Sequence, residues 1–580
     1  MHSLSPIWSP TPSRIEHSIM FKFIKYLRDQ QVYVEDFQQL HRWSVDNNAL
    51  FWDKAWDFCH LQGSKKGPIT GDGRAKWQHY SKNRDTQWFA ESKLNYAENL
   101  LTYSTQTPDE QAIIFSNESG ESRNMTWDEL HQQVAAVQQW LQEQGVCKGD
   151  VVAGYLPHIP ETLVAMLATT SLGVIWTSTS PDFGIESVVE RFEQVSPKVF
   201  FCCNGYAFNG KAFDMRAKNK AITARLPSLN AHCEIPYTAN VPLSESTINW
   251  NDILDKPTTA PLKFERINFN EPLFILYSSG TTGKPKCIVH SVGGTLLNHL
   301  KEHQLHCDVK PHDRVFYYTT CGWMMWNWHV SALASGATLV IYDGSPVYPK
   351  TSVLWDLAEH NKVTLFGTSA KYLEALHKAE YSPIAHHDLT SLKTLCSTGS
   401  VLYPEQFDFV YQDIKQDLHL ASISGGTDIC GCFVLGNPIS PVFRGECQGS
   451  GLGLDVQVIS EQTTELEPTA TKEHMVIEER GELVCANSFP NQPIGFWNDD
   501  GAKYHNAYWN KYDGIWHHGD DVIQTKNGGM LFYGRSDTTL NPGGVRIGTG
   551  EIYRQVNGLP EIIDSIAVGK IEGQDESIVL

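Results

Sequence analysis

The run Ser278-Ser279-Gly280-Thr281-Thr282-Gly283-Lys284-Pro285-Lys286 gathers hydroxyls, glycines and two lysines into one short segment. These are the residue types that hold a polyphosphate. Glycine lets the backbone fold back so that N–H groups point inward, hydroxyls donate without charge, and the ammonium groups oppose the anion. The run follows the apolar stretch LFILY and precedes CIVH, so it joins two strands. It is not a Walker loop: counting back from Gly283-Lys284, the first glycine's place is held by Ser278, and Pro285 stands where Ser or Thr is required. A P-loop kinase or GTPase is thereby disfavoured. An ordinary polar turn is the bland alternative for any one such cluster.

Further segments of the same chemical kind follow in order: Ser397-Thr398-Gly399-Ser400-Val401, Ser424-Gly425-Gly426-Thr427-Asp428, His517-His518-Gly519-Asp520, Tyr533-Gly534-Arg535-Ser536-Asp537 and Asn541-Pro542-Gly543-Gly544-Val545-Arg546. Taken singly, Asp520 could cap a helix, Arg535 and Asp537 could form a surface pair, and Gly543-Gly544 could be a turn. Taken in order behind the loop [ST]-[ST]-G-[ST]-[ST]-G-x-P-K, the set resembles the adenylate-forming enzymes, the family of acyl-CoA synthetases, luciferases and peptide-synthetase adenylation domains.

The resemblance implies a role for each position. Ser278, Ser279, Gly280, Thr281, Thr282, Gly283, Lys284 and Lys286 would wrap the triphosphate of ATP, with Thr281 and Lys284 acting in catalysis. Thr398 borders the acyl pocket, and Gly399, Ser400 and Val401 cradle adenine. Ser424, Gly425, Gly426 and Thr427 approach the α-phosphate, and Asp428 holds Mg2+. Asp520 and Arg535 take the ribose side, and Asp537 is the hinge. Gly543, Gly544 and Arg546 serve CoA, with Arg546 reaching the site after domain rotation.

The implied reaction has two steps. A carboxylate attacks the α-phosphorus of ATP to give acyl-AMP and pyrophosphate, and the CoA thiol then displaces AMP. An anion attacking a polyanion needs positioning and charge stabilisation rather than a side-chain nucleophile, and no convincing Ser-His-Asp set stands among the 23 histidines. The resemblance runs along nearly the whole chain, through IWSPTPSRIEHS, LNYAENLL, CGWMMWNWHVSALASGATLVIYDGSP and PVFRGECQGSGLG, and implies acetoacetate as the acid. A butyrate-like or branched short-chain acid is the alternative. Acetate-activating relatives close the acyl pocket with a Trp where this chain has Gly425, which implies added room here. Trp323, Met324, Met325 and Trp326 are the expected lining, since thioethers adapt to irregular shapes and an indole N–H suits a ketone oxygen. Core packing is their bland reading. Adenylation for another acceptor and an inactive nucleotide-binding remnant are the other readings of the same loop.

The elements that must position these residues alternate. From Ala112 onward, apolar runs such as AIIF, VVAGYL and GVIWT alternate with helical patterns at 127–144 and 161–172, and a second cycle begins at LFILYSS. The expected fold is α/β: a large N-terminal domain of stacked α/β subdomains plus a β-rich subdomain, then a small α+β C-terminal domain. The divisions expected are an N-terminal extension over 1–100 with an amphipathic helix packed on the core, the adenylate-forming domain over 101–534, and the hinge and C-terminal domain over 535–580. Residues 204–260 look irregular enough for a long surface excursion. The family's terminal-domain lysine lies well past the hinge, so the small domain is expected to be incomplete here and adenylation slow.

At 580 residues the chain exceeds a single core. Its formal charge of −20 argues against nucleic acid and anionic membranes as partners. The expected partners are small molecules: acetoacetate, ATP and CoA, with Mg2+. Thirteen cysteines without zinc-type spacing read as free thiols. With no signal-peptide pattern and no bilayer-length apolar run, a cytoplasmic setting is expected.

Overall fold

The computed structural model describes residues 5–71, 81–245, 247–278, 284–460, 475–536, 539–542, 547–548, 552, 556, 562, 565–572 and 575–580. The alternating pattern resolves into two large, mainly parallel sheets. The first has eight strands in the order Ile248–Asn249, Ala231–Ile235, Val199–Cys203, Val151–Tyr155, Ile175–Thr179, Pro272–Ser278, Lys286–Ser291 and Gly495–Phe496. The second has seven, in the order His419–Ser422, Thr394–Thr398, Leu365–Ser369, Arg314–Tyr317, Thr338–Asp343, Gln111–Asn117 and Ser122–Thr126. Their central strands, such as Val151–Tyr155 and Val199–Cys203, are buried at every residue, as strands covered on both faces must be.

Chain order and sheet membership are exchanged relative to the sequence reading. Gln111–Asn117, read as opening the first cycle, pairs in parallel with Thr338–Asp343 of the second sheet. Pro272–Ser278, read as opening the second cycle, pairs with Ile175–Thr179 and Lys286–Ser291 and so completes the first. Apolar periodicity marks a strand but not its partner, which is chosen by packing. Residues 204–260 also differ from expectation, for they hold the hairpin Gly205–Phe208/Lys211–Asp214, the helix Arg216–Thr223 and two strands of the first sheet. Their short elements carry too few apolar residues for a periodic signal.

Helices cover the sheets. Trp127–Glu143 begins with a capping box, in which Thr126 Oγ1 accepts from the Glu129 N–H at 3.2 Å and Glu129 Oε2 accepts from the Thr126 N–H at 2.7 Å. Its buried face is Leu130, Val134, Val137 and Leu141. The N-terminal amphipathic segment is two helices, Pro12–His17 and Ile19–Asp29, divided at Ser18, whose hydroxyl caps the second. Met20, Phe23, Ile24 and Leu27 are buried as expected, and the Ile19 N–H donates to Asp308 at 2.7 Å.

Beyond the two sheets lie a three-stranded antiparallel sheet, Ser424–Gly426, Gly431–Leu435 and Gly449–Ser450, and a four-stranded one, Val456–Ser460, Arg480–Cys485, Trp516–Gln524 and Met530–Arg535. Two hairpins follow in the smaller C-terminal part, Thr539–Leu540/Ile547–Gly548 and Val568–Glu572/Asp575–Val579. The thirteen cysteines are unpaired. No helix of the described residues is long and apolar enough to cross a membrane.

One close approach in the second sheet bears on the site. Gly367 pairs with Tyr317, and a Cβ at Gly367 would lie 2.0 Å from the Tyr317 ring. Gly367→Ala must displace that ring, so the thermal midpoint should fall by about 1–3 degrees, the effect of about 1–3 kcal/mol of overpacking on a domain of this size. An unchanged midpoint would show that the ring moves freely.

Candidate active site

Both large sheets end their parallel strands at one crevice, the place where open α/β sheets bind ligands. A cavity of about 290 Å3 lies there. Thr179 and Ser278 reach it from the first sheet, Tyr317, Thr368 and Thr398 from the second, and Ser424–Thr427 from the short antiparallel sheet. Asp520, Phe532, Gly534 and Arg535 of the four-stranded sheet border it as well. Those from the two large sheets are at or next to strand ends, whereas Asp520 and Phe532 sit within the paired strands Trp516–Gln524 and Met530–Arg535.

The charged pair of this cavity is Asp520 and Arg535. They face each other in register on neighbouring strands, with Arg535 Nη1 donating to Asp520 Oδ1 at 2.8 Å and both side chains nearly buried. Gly519 and Gly534 flank them with φ of +82° and +124°, conformations that a Cβ would strain. Gly399, at the end of strand Thr394–Thr398, has φ +91° and accepts from Asn541 Nδ2 at 3.3 Å. The hydroxyls of Thr179, Ser278 and Thr368 are buried at the cavity and bond to no described residue. Buried hydroxyls without a partner are costly unless a ligand or water supplies one.

Behind Thr427, Asp428 is buried and accepts a hydrogen bond from the Tyr508 hydroxyl at 2.6 Å. The Tyr508 ring stacks on Trp516 at 4.1 Å, and the Lys286 ammonium lies 5.6 Å from the centre of the same ring and 5.9 Å from that of Phe496. His290 is fully buried, and burial pushes it down to about 3 against the pull of Asp428, so it is neutral at ordinary pH. A larger cavity of about 560 Å3, between Arg84–Trp88 and Phe489–Tyr504, holds none of the motif residues.

A family profile described as "AMP-binding enzyme" matches residues 101–489. An acetoacetyl-coenzyme A synthetase of Rhizobium meliloti (strain 1021) is 46% identical over 588 residues, spanning 100% of this chain and 87% of the relative. An acetoacetyl-CoA synthetase of Danio rerio is 42% identical, spanning 99% and 84%. The solved acetoacetyl-CoA synthetase from Streptomyces lividans superposes with a TM-score of 0.86 at 41% identity, over 97% of this chain and 85% of that one. This chain belongs to the AMP-binding enzyme family.

Of the positions matched to the AMP-binding pattern, the cavity gathers Ser278, Trp323, Met324, Met325, Thr398, Gly399, Ser400, Val401, Ser424, Gly425, Gly426, Thr427, Asp520 and Arg535. Lys286, the register partner of Ser278, and Asp428, next to Thr427, are outside the lining. Ser279, Gly280, Thr281, Thr282, Gly283, Asp537, Gly543, Gly544 and Arg546 lie outside the described residues.

Three positions depart from the sequence reading. Lys284 is more than half exposed and pairs with Glu193 at 2.6 Å, outside the cavity lining. Trp326 is completely buried in the core and does not line the cavity, because the helix Met324–Val330 turns its indole inward. Gly425 does border the cavity, but a Cβ there would lie 2.1 Å from the Gly431 carbonyl oxygen and 2.5 Å from Cys432 Cα. The hydrogen in its side-chain position therefore faces the neighbouring strand, and the absence of a side chain there adds no room to the cavity.

Sequence reasoning missed Tyr317, Thr368, Ile423 and Cys432, which all line the cavity. Thr368 follows the strand run VTLFG, so the rule that ligands sit past strand ends could have found it. Cys432 is supplied by register, as the partner of Gly425, and no local pattern marks it.

Glu482 anchors the strand that carries Asp520. Burial alone would push its carboxyl up, but the bonds from His517 at 3.0 Å and Lys511 at 2.7 Å outweigh it and hold the group down to about 2, from an ordinary 4.5. A depressed acid stabilises the fold above its unfolded pKa and loses that contribution as pH falls through its folded one. Stability should therefore decline as pH drops from about 4.5 toward 2, and Glu482→Gln should flatten that decline in a series of thermal midpoints. Parallel curves for the two proteins would exclude Glu482 as a source.

Proposed function

We propose that this chain activates acetoacetate with ATP and joins it to coenzyme A, releasing AMP and pyrophosphate. What carries the reading is that one cavity gathers the adenine, ribose and α-phosphate segments beside two methionines, in a chain similar from end to end to acetoacetyl-CoA synthetases. In the first step a carboxylate oxygen bonds to the α-phosphorus and the bond to pyrophosphate breaks. In the second the CoA sulfur bonds to the acyl carbon and AMP leaves.

The residues divide by what they can hold. The positive-φ turn at Gly399 lets its backbone, with Ser400 and Val401, lie against adenine. Asp520 accepts from ribose hydroxyls while the bond from Arg535 keeps its carboxylate aimed. Ser424, Gly425, Gly426 and Thr427 approach the α-phosphate, and Ser278 through Gly283 with Lys286 wrap the leaving pyrophosphate. Lys284 joins them by giving up Glu193, which costs little because that pair is exposed. Met324, Met325 and Thr398 border the acid, with Trp323 at its mouth.

Mg2+ asks for one or two carboxylates and leaves its other positions to phosphate oxygens and water. Asp428, a single buried carboxylate aimed by Tyr508 beside Thr427, fits that demand. The ion would neutralise phosphate charge. Asp537 serves as hinge, and Gly543, Gly544 and Arg546 serve CoA. In the same proposal residues 1–100 are the N-terminal extension, 101–534 the adenylate-forming domain and 535–580 the hinge and C-terminal part, and the enzyme works in the cytoplasm.

Acid-dependent exchange of labelled pyrophosphate into ATP, and CoA-dependent AMP release, should both favour acetoacetate over butyrate by about tenfold or more in kcat/KM, since butyrate lacks the ketone oxygen. Equal values for the two acids would reject acetoacetate as the selected substrate. Asp520→Ala should raise the KM for ATP about tenfold and leave that for the acid within about twofold. A rise confined to the acid would reverse the assignment of the two ends.

A further inference from the structure

Glu302 is a buried acid that neither the nucleotide segments nor the reaction uses. It lies in the π-helix Lys301–His306, which continues the helix Val292–Leu300, and π-turns of this kind frequently mark functional sites. Its side chain is wholly buried, with the ammonium of Lys301 4.0 Å away and equally buried. Burial raises its pKa, against the lowering pull of Lys301 and of the donors that surround it.

Three donors converge on this carboxylate. Oε1 accepts from the Cys432 N–H at 2.9 Å and from Asn298 Nδ2 at 2.9 Å, and Oε2 accepts from the Trp328 indole N–H at 2.8 Å. The close approach depends on Gly431, where a Cβ would lie 2.4 Å from Asn298 Nδ2 and 3.0 Å from Glu302 Oε1.

The bonded groups belong to two separate elements that supply the cavity lining, the helix Met324–Val330 and the strand Gly431–Leu435. Cys432 lines the cavity and is the register partner of Gly425. Trp328 is one turn beyond Met325 on the helix Met324–Val330, so the two share a face, and its ring meets that of Tyr317 edge-on at 5.8 Å. Met325 and Tyr317 both line the cavity. Fixing Trp328 to Cys432 through one carboxylate therefore fixes the separation of the two walls.

We propose that Glu302 is a positioning residue for the acid substrate, setting the width of the acid end by clamping the Met324–Val330 helix to the Gly431–Leu435 strand. It touches no substrate. The inference rests on the proposed reading of this cavity as an acid and nucleotide site, and does not depend on which acid is used.

Trp328→Phe keeps a ring in place and removes only the indole donor. Its KM for the acid should rise about tenfold while its KM for ATP stays within about twofold, and its ratio of acetate to acetoacetate use should change. Glu302→Gln, which cannot accept from all three donors, should shift the same quantities further. Circular dichroism and a thermal midpoint establish that each variant is folded; if Glu302→Gln is insoluble, Trp328→Phe decides. Acid and ATP constants rising together, or neither moving in folded protein, would overturn the proposal. A wild-type panel of acids run alongside separates the questions, because a different preferred acid would reject acetoacetate while the KM split, measured on that acid, still tests Glu302.

Discussion

The site exists because two parallel sheets are held with their carboxyl ends toward one crevice, and side chains at the strand ends do the holding. Tyr237, just past strand Ala231–Ile235 of the first sheet, donates to Asp343 at the end of Thr338–Asp343 in the second, at 2.8 Å. Asn117, on the adjacent strand of the second sheet, donates to the same Tyr237 hydroxyl at 3.0 Å. Ser178 donates to the Cys321 carbonyl across the same junction at 2.7 Å. Burial pushes Asp343 up to about 7 although the Tyr237 bond opposes it, a sign of how dry the junction is. Dryness is what makes the few charges beyond it effective, since field strength rises as water is excluded.

A chain with a formal charge of −20 must concentrate cations where phosphate is to bind. Besides Arg535, which is paired with Asp520, two cations at or near the crevice are seated on aromatic faces. The Arg191 guanidinium, which lines the cavity, lies 5.0 Å from the centre of the Phe183 ring and 5.8 Å from that of Tyr277. Lys286 sits over Phe496 and Tyr508. Ring faces attract a cation without cancelling its charge, so these groups are fixed in place and still able to meet an anion. Lys284 shows the contrast, since its charge is met by Glu193 at the surface.

The turns that the proposal gives to the nucleotide were legible in the amino-acid sequence, because their part in lining the cavity depends on backbone shape. Gly399, Gly519 and Gly534 are required where φ is positive, and hydroxyls must follow strand ends, so residue types reveal the geometry. The walls of the acid end were not. Cys432 enters through register with Gly425, Tyr317 through the gap at Gly367, and Trp326 is excluded by the rotation of a helix, none of which leaves a local pattern. The exchange of strands between the two sheets has the same origin. A buried apolar strand looks alike in either sheet, and only long-range packing decides where it pairs. Gly425 is the instructive case: its position was marked by the pattern, but the direction of its missing side chain belongs to the bulged pairing with the next strand.

This division explains how one scaffold can keep its nucleotide chemistry while its acid changes. In the proposed site the phosphate and ribose contacts fall to segments that are contiguous in sequence, so altering one disturbs a turn and its neighbours. The walls proposed for the acid are single side chains from separate elements, and Glu302 behind them bonds both Trp328 and Cys432. Moving a wall by an ångström needs a substitution in that supporting layer, remote from the triphosphate, and leaves the turns at Gly399 and Gly534 untouched. Where the supporting layer is itself a buried ionic pair, Lys301 with Glu302, a partial replacement strands a charge in the core. The acid end is therefore open to change through neutral neighbours such as Trp328 and Asn298, and resistant to change at the carboxylate they share.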